Sequence, residues 1–393
     1  MDLFFALFPE KWPDWLRVAL SAGIPAVLLL TFMAVGPIVY VYAERKIAGF
    51  MQDRLGPTRV GPYGLLQTVA DAIKLMFKEA IYPTGVDKKL FLIAPCLVVL
   101  GAFLAMVVIP FGERSQVADL NVGLFYVIAV SSLSTVGLIM AGWASNNKYA
   151  LFGAMRSAAQ IVSYEIPAVM ILLGIVMMVG SLSLQDIVIF QEGGLTHWLL
   201  FRYFPIMPLA FVIFFTAGLA ECNRTPFDIP EAESELVAGF HTEYSGFVFA
   251  MFFMAEYTEM FVISSVASVL FLGGYWSPLP NHILQHIGPI GLGPLWLIAK
   301  AWFLVFVMMW LRWTLPRLRV DQLMYVAWKV LLPISMVLVV VIGGLIMIPA
   351  TRNGFPWDRW VGWPLTALVF GALIAWMAGA RLSKKRRVQD LAA

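Results

Sequence analysis

Residues Glu221 to Glu256 read ECNRTPFDIPEAESELVAGFHTEYSGFVFAMFFMAE. This stretch holds seven of the chain's 24 acidic residues. Glu231, Glu233 and Glu235 follow one another in alternation, and Glu256 lies inside an apolar run. The sequence on either side is oily enough to sit in lipid. A carboxylate placed there costs about 2.5–3.5 kcal/mol on insertion scales. Acids gathered at such a place point to moving protons or ions, or to holding something polar.

Working outward, the chain has 393 residues, of which 61% are hydrophobic and 13% charged. A soluble globular protein carries about 25% charged residues, so the composition is that of a polytopic membrane protein. The net charge of +3 is too small and too scattered for nucleic acid. Cys96 and Cys222 are far apart and read as free thiols, with no disulfide or metal cluster. The opening MDLFFALFPEKWPDW has no basic n-region and does not resemble a cleaved signal peptide.

A transmembrane helix needs about 20 apolar residues. Nine windows qualify: 18–42, 90–111, 122–144, 157–180, 204–221, 244–272, 294–311, 330–350 and 362–380. None alternates like a strand, and helices satisfy their own backbone in lipid. The fold class expected is therefore an all-α bundle of about nine spans, eight of them core. The sixth window is long enough to tilt or break. Placing the loop after the first span in the cytoplasm puts 20 of the 27 Lys and Arg on that side. The positive-inside rule then sets the N-terminus outside and the C-terminus, with its KKRR tail, inside. The 44–89 and 221–243 segments face the same side.

Within 44–89, Gly56-Pro57 and Gly61-Pro62 are paired breakers, so 54–63 should be irregular. Leu66, Val69, Ala70, Ile73 and Phe77 then recur at helical spacing opposite Gln67, Asp71, Lys74 and Lys78. That pattern predicts an amphipathic helix at the membrane surface, a type often found as a plain anchor. In 221–243, Pro226 and Pro230 bracket Phe227-Asp228. Most charge runs are solvated loops, but Phe227, Ile229, Leu236, Val237 and Phe240 suggest a loop tucked into protein. Inside the spans lie Glu165, Glu256, Glu259 and Lys300. Glu256 and Glu259 share a helical face. Pro167 leaves a carbonyl near Glu165 without its backbone donor. Any one such acid could merely hold helices together; Glu44, Glu165, Glu221 and Glu256 together suit proton transfer better. His282 and His286 are four apart but lack companion ligands. No Walker loop, dinucleotide fingerprint or cysteine cluster occurs, so the chain is read as carrying no redox centre.

The segments GPTRVGPYGLLQTVADAIKLMFKE, RSAAQIVSYEIP and AECNRTPFDIPEAESELVAGFHTEYSGFVFAMFFMAEY resemble the H subunit family of proton-pumping NADH:quinone oxidoreductase, respiratory complex I. The resemblance covers about residues 17–350. It implies a core membrane domain over 1–350, with 351–393 an additional C-terminal span and tail. It also implies a subunit at the junction of the membrane and peripheral arms, forming much of the quinone chamber. The chamber's opening would be bordered by 18–42, 66–78 and 244–272. Arg45, Lys46, Asp53, Arg54 and Arg59 would serve the headgroup or the docking surface, and Phe227, Asp228, Glu231, Glu233 and Glu235 the chamber floor. A relay into the membrane arm would fall on Glu44, Glu165, Glu221 and Glu256. The substrate would be ubiquinone or menaquinone, with FMN and iron–sulfur clusters held by partner subunits. Partners would be the quinone-site and iron–sulfur subunits of the peripheral arm and the small and antiporter-like membrane subunits, in a bacterial inner membrane.

Three alternatives stand beside this. A related subunit of an ion-translocating membrane-bound hydrogenase lacks a quinone to reduce, and the long first-loop motif favours the quinone enzyme. A stand-alone secondary transporter predicts inverted repeats, and the halves show none. A pure scaffold does not explain intramembrane acids at four separate places.

Overall fold

Backbone that crosses lipid must bond to itself, and the apolar runs accordingly fold as helices. The computed structural model describes residues 13–113, 115–204, 206–230, 233–279, 285–287 and 290–347. The ninth expected span (362–380), the KKRR tail, Glu231 and His282 lie outside the described residues. The helices are α1 (Asp14–Met51), α2 (Gln67–Phe77), α3 (Lys88–Val107), α4 (Gly123–Ala144), α5 (Lys148–Val179), α6 (Leu184–Ile189), α7 (Leu199–Arg202) and α8 (Ile206–Glu221). They continue with α9 (Glu233–Leu236), α10 (Gly246–Phe271), α11 (Gly293–Thr314), α12 (Val320–Val326) and α13 (Leu332–Met347). Among the described residues the only strands are two-residue pieces, β1 (His286–Ile287) and β2 (Ile290–Gly291), paired antiparallel.

Among the described residues, seven helical segments are long and apolar enough to cross a membrane, with Val320–Met347 counted as one. The expected fifth span is shorter. At 16 residues, α8 extends about 24 Å, less than the ~30 Å hydrocarbon core. The first helix is longer than expected. Residues 44–51, read as the start of a loop, are helical because no breaker occurs before Gly56-Pro57. Its 38 residues reach about 57 Å, so Glu44 sits on a rigid helix rather than a loop. The sixth span stays one unbroken helix, and the eighth begins at Val320, ten residues before its window.

At the centre stands α10, packed against α1, α2, α3, α8 and α11. Its outer half is buried almost without interruption from Met260 to Phe271. Small residues let the neighbouring helices approach closely. A Cβ on Gly137 of α4 would lie 2.6 Å from Val98 of α3, so any larger residue there would force those two helices apart.

The loop leaving α8 folds back into the bundle, as its apolar residues required. Gln160 of α5 holds it, donating through Nε2 to Ala220 O (2.8 Å) and Phe227 O (2.7 Å). Phe227, Ile229, Leu236 and Phe240 are buried, whereas Val237 is exposed, in a left-handed turn (φ +65°). Between α12 and α13, residues Ala327–Leu331 form a π turn. There Trp328 Nε1 donates to Ser163 Oγ at 3.2 Å. The amphipathic helix is α2, one face against α1 and α10, with Ile73, Met76 and Phe77 exposed.

Candidate functional site

A cavity of about 510 Å³ opens where the last turns of α1, the loop at 54–57, α10 and the end of α11 meet. Its apolar wall includes Val41, Leu55, Phe253 and Trp313, and its polar wall Glu44, Arg45, Arg54, Tyr257 and Arg312. Sequence order scatters these groups; the length of α1 brings them together by carrying Glu44 to the level of Tyr257.

Glu44 is the hub, only 4% exposed. Tyr257 donates its hydroxyl to Glu44 Oε2 at 2.6 Å. Arg224 Nη1 reaches both carboxylate oxygens at 3.3 and 3.4 Å, and Arg312 Nη1 donates to Oε1. The Arg224 guanidinium also lies 4.2 Å from the centre of the Tyr257 ring. A buried charge survives only if paired and hydrogen-bonded, and this carboxylate meets both conditions. Two cations around one carboxylate leave a positive surplus. Glu256, next to Tyr257 in α10, lies in the electrostatic field of Arg224.

Beyond Arg224 the acids continue inward. Glu256 and Glu259 share a face of α10. Glu259 interacts electrostatically with Glu221 at the end of α8, while Ser134 and Ser131 face the two carboxylates respectively. Glu221 and Glu165 line one small cavity of about 60 Å³, with Ser131 and Tyr164 in its wall. The rest of its wall is apolar, including Val127, Ile161, Phe214 and Val262, so Ser131, Tyr164 and the two carboxylates are its polar groups. Electrostatic contacts thus join Arg224 with Glu44 and Glu256, and Glu221 with Glu259 and Glu165, while Glu256 and Glu259 are related by their shared helical face.

Not every sequence-predicted residue joins this line. Asp53 and Arg59 are exposed on the first loop and do not line the larger cavity. Lys46 is half-buried, its ammonium 5.7 Å from the Tyr42 ring. Arg45 bonds Asp71 of α2 at 2.6 Å. Burial pushes the Asp71 pKa up, but the bond and charge of Arg45, with Lys74, outweigh it and leave the carboxyl below its usual range. Phe227 and Asp228 also lie outside the cavity wall. Phe227 packs edge-on against Tyr164 with ring centres 5.1 Å apart, and Asp228 accepts from Arg317 at 2.8 Å. Glu235 accepts from Arg156 at 2.6 Å, which holds its pKa below the ordinary value. Glu233 opens α9.

Sequence reading missed Arg224, Arg312, Tyr257 and Trp313 as site residues and left Glu259 out of the relay. Arg224 carried the one usable signal: a basic residue three positions after an intramembrane acid, beside a proline-rich turn. Arg312 and Tyr257 gave none, because their partner lies more than 200 residues away. Both cysteines are free thiols, Cys96 exposed and Cys222 buried. Among the described residues no three His, Cys, Asp or Glu side chains cluster as a metal site.

The profile of the NADH dehydrogenase family matches residues 24–343. A protein of Chlorobaculum tepidum, named as the H subunit of NADH-quinone oxidoreductase, is 56% identical over 325 residues, covering 81% of this chain and 90% of its own length. The H subunit of Geobacillus kaustophilus is 50% identical over 335 residues (84% and 95%), and that of Bacteroides thetaiotaomicron 43% over 343 residues (86% and 92%).

Proposed function

We propose, from the premise that this chain belongs to the NADH dehydrogenase family, that it is a membrane subunit of an NADH:quinone oxidoreductase and walls the chamber in which quinone is reduced. One observation carries the reading: the 510 Å³ cavity between α1, the 54–57 loop, α10 and α11, with an apolar wall and the Glu44, Tyr257, Arg224 and Arg312 cluster on its polar side. An isoprenoid tail suits the apolar wall. The quinone oxygens suit Arg45, Arg54 and Arg312, since a developing negative charge is best met by fixed cations where water is scarce.

The electrons come from redox centres of partner subunits. Reduction of the quinone consumes two electrons and two protons, and the departure of those protons changes the charge beside Glu44. Tyr257 and the two arginines bias the Glu44 carboxylate directly. Arg224 passes the change to Glu256, and Glu259, Glu221 and Glu165 carry it away from the chamber. This chain moves charge and proton affinity; it transfers no electrons itself. In this reading the bilayer is a bacterial inner membrane, with the cavity end of the bundle cytoplasmic. Asp53 and Arg59, exposed beside the cavity, then serve as docking positions for the soluble arm, as does the exposed Glu235.

The test is photolabelling of the whole complex with an azido-quinone. Label expected on 41–57 and on Phe253 or Trp313 supports the reading; label confined to other subunits overturns it. Separately, Glu165→Gln and Glu256→Gln should lower coupled activity while the complex still assembles. Pumping at the unmodified rate in both variants would remove the relay.

A further inference from the structure

At the opposite end of α10 from the cavity, one charged side chain is satisfied almost wholly by backbone. Lys300, near the start of α11, donates through Nζ to Leu272 O (2.6 Å), Trp276 O (2.7 Å) and Gly274 O (2.8 Å). Its fourth neighbour is the Trp198 ring, 4.1 Å away. An ammonium has three protons, and each has a carbonyl. Those carbonyls belong to alternate residues just past Phe271, the last residue of α10. They converge because Gly273 and Gly274 take φ of +71° and +52°. No side chain fits there: a Cβ on Gly273 would lie 2.4 Å from Trp198 Nε1, and one on Gly274 2.7 Å from Val188. Gln191 binds the same end, donating to Val269 O at 2.8 Å and accepting from Gly273 N at 3.0 Å. The negative dipole end of α10 thus faces a cation, while Val269 O in its last turn is met by Gln191.

We propose that Lys300 is a positioning residue that fixes the axial position of α10 from its far end, and so holds Tyr257 and Glu256 in register with Glu44 and Arg224. The inference rests on reading the cavity as the quinone chamber. Tyr257 and Phe271 lie on one continuous helix, about 21 Å apart along its axis. Between them stands no Pro or Gly, the usual sites of a kink, so a shift at one end is carried to the other. The cavity end is fastened differently, by side chains: Ser245, the residue before α10, accepts from Ile81 N at 3.0 Å, and Tyr244 donates to Phe91 O at 3.2 Å. The Tyr257 hydroxyl and Glu44 are 2.6 Å apart, and a slip of an ångström would break that bond.

The experiment uses the whole complex in its membrane. Lys300→Met removes the ammonium and keeps the stem. The expected result is a quinone KM raised roughly tenfold, within what an ångström-scale misplacement produces, with kcat changed much less. NADH oxidation by ferricyanide, which bypasses the quinone, should stay at its unmodified rate. Lys300→Arg should restore most of the KM, and methylammonium should do so in Lys300→Ala by re-entering the carbonyl cage. A Lys300→Met KM equal to that of the unmodified complex overturns the proposal. Should that variant fail to accumulate, Gln191→Leu loosens the same end: a raised KM supports the proposal and an unchanged one overturns it. Tyr257→Phe is measured alongside. If it too leaves the quinone KM unchanged, the chamber reading itself fails; if it alone raises KM, only the positioning role of Lys300 fails.

Discussion

The two ends of α10 hold charge in opposite ways. At the cavity end, charges meet charges: Glu44 is shared by Arg224, Arg312 and Tyr257, with Arg224 contacts as long as 3.3–3.4 Å. At the other end Lys300 meets three backbone carbonyls at 2.6–2.8 Å. A carboxylate can gain a proton or trade one cation for another, so the first arrangement can be reset by a ligand or a proton. The backbone carbonyls at the second end do neither, so the frame around Lys300 stays fixed. One helix therefore joins an adjustable end to a fixed one.

The largest effect is expected where the adjustable end loses its hub. Glu44→Gln leaves Arg224 and Arg312 without the carboxylate that neutralises them in a site from which water is largely excluded. Removing one partner of a buried ion pair costs about 3–5 kcal/mol. The complex should accumulate poorly or inactivate much faster on warming. The double variant Glu44→Met with Arg224→Met should recover part of that loss, since a matched apolar replacement strands one fewer charge. Unmodified thermal stability in Glu44→Gln would mean that the cluster does not hold this end together.

Next comes an acid response confined to the cavity end. His241 is packed among Phe240, Phe249 and Phe253. Burial pulls its pKa down to about 4, with Asp228 opposing weakly. An unfolded histidine titrates near 6.5, so the unfolded chain takes up this proton first. The stability held by neutral His241 is complete above pH 6.5 and is lost as pH falls toward 4. The loss is on the order of 3 kcal/mol at the lower limit. His241→Phe should flatten the rise in inactivation rate between those pH values, and an unaltered pH profile would contradict it.

How much of this was legible in the sequence follows from range. Spans, the surface helix over Gln67–Phe77 and the tucked loop could be read because apolar periodicity and proline are local signals. The length of α1 was misjudged because Glu44, Arg45 and Lys46 look like the start of a loop, although nothing among them stops a helix. The acids could be singled out because a carboxylate in lipid is anomalous by itself. Their cations could not: Arg312 resembles any basic residue at a span's end, and its link to Glu44 spans 268 positions. Lys300 was visible as an oddity, but its partners are carbonyls, which every residue possesses and no sequence pattern distinguishes.

A smaller effect tests the fixed end. Gly273→Ala introduces a Cβ where φ is +71° and Trp198 Nε1 would be 2.4 Å away. Strain and overpacking of this kind cost about 1–3 kcal/mol. The variant should inactivate faster on warming, because the turn that gathers the Lys300 carbonyls is forced open. Unmodified thermal stability would mean that this end does not depend on the glycine turn.

The smallest effect belongs to the Arg45–Asp71 pair, which ties α1 to the surface helix α2. Its bond is short, 2.6 Å, but the Arg45 side chain is 45% exposed, and water and salt screen such a pair. Exposed pairs contribute about 0.2–1 kcal/mol. Because the Asp71 pKa is lowered, this contribution is present above the ordinary aspartate range and disappears as pH falls below it, the same direction as His241 but at a lower pH. Arg45→Ala should therefore raise the rate of protease cutting at 52–62 only slightly at neutral pH. The difference from the unmodified complex should shrink in high salt and vanish once Asp71 is protonated. A large, salt-insensitive increase would show that Arg45 is held by more than Asp71, and would move it from the adjustable rim of the cavity to its fixed frame.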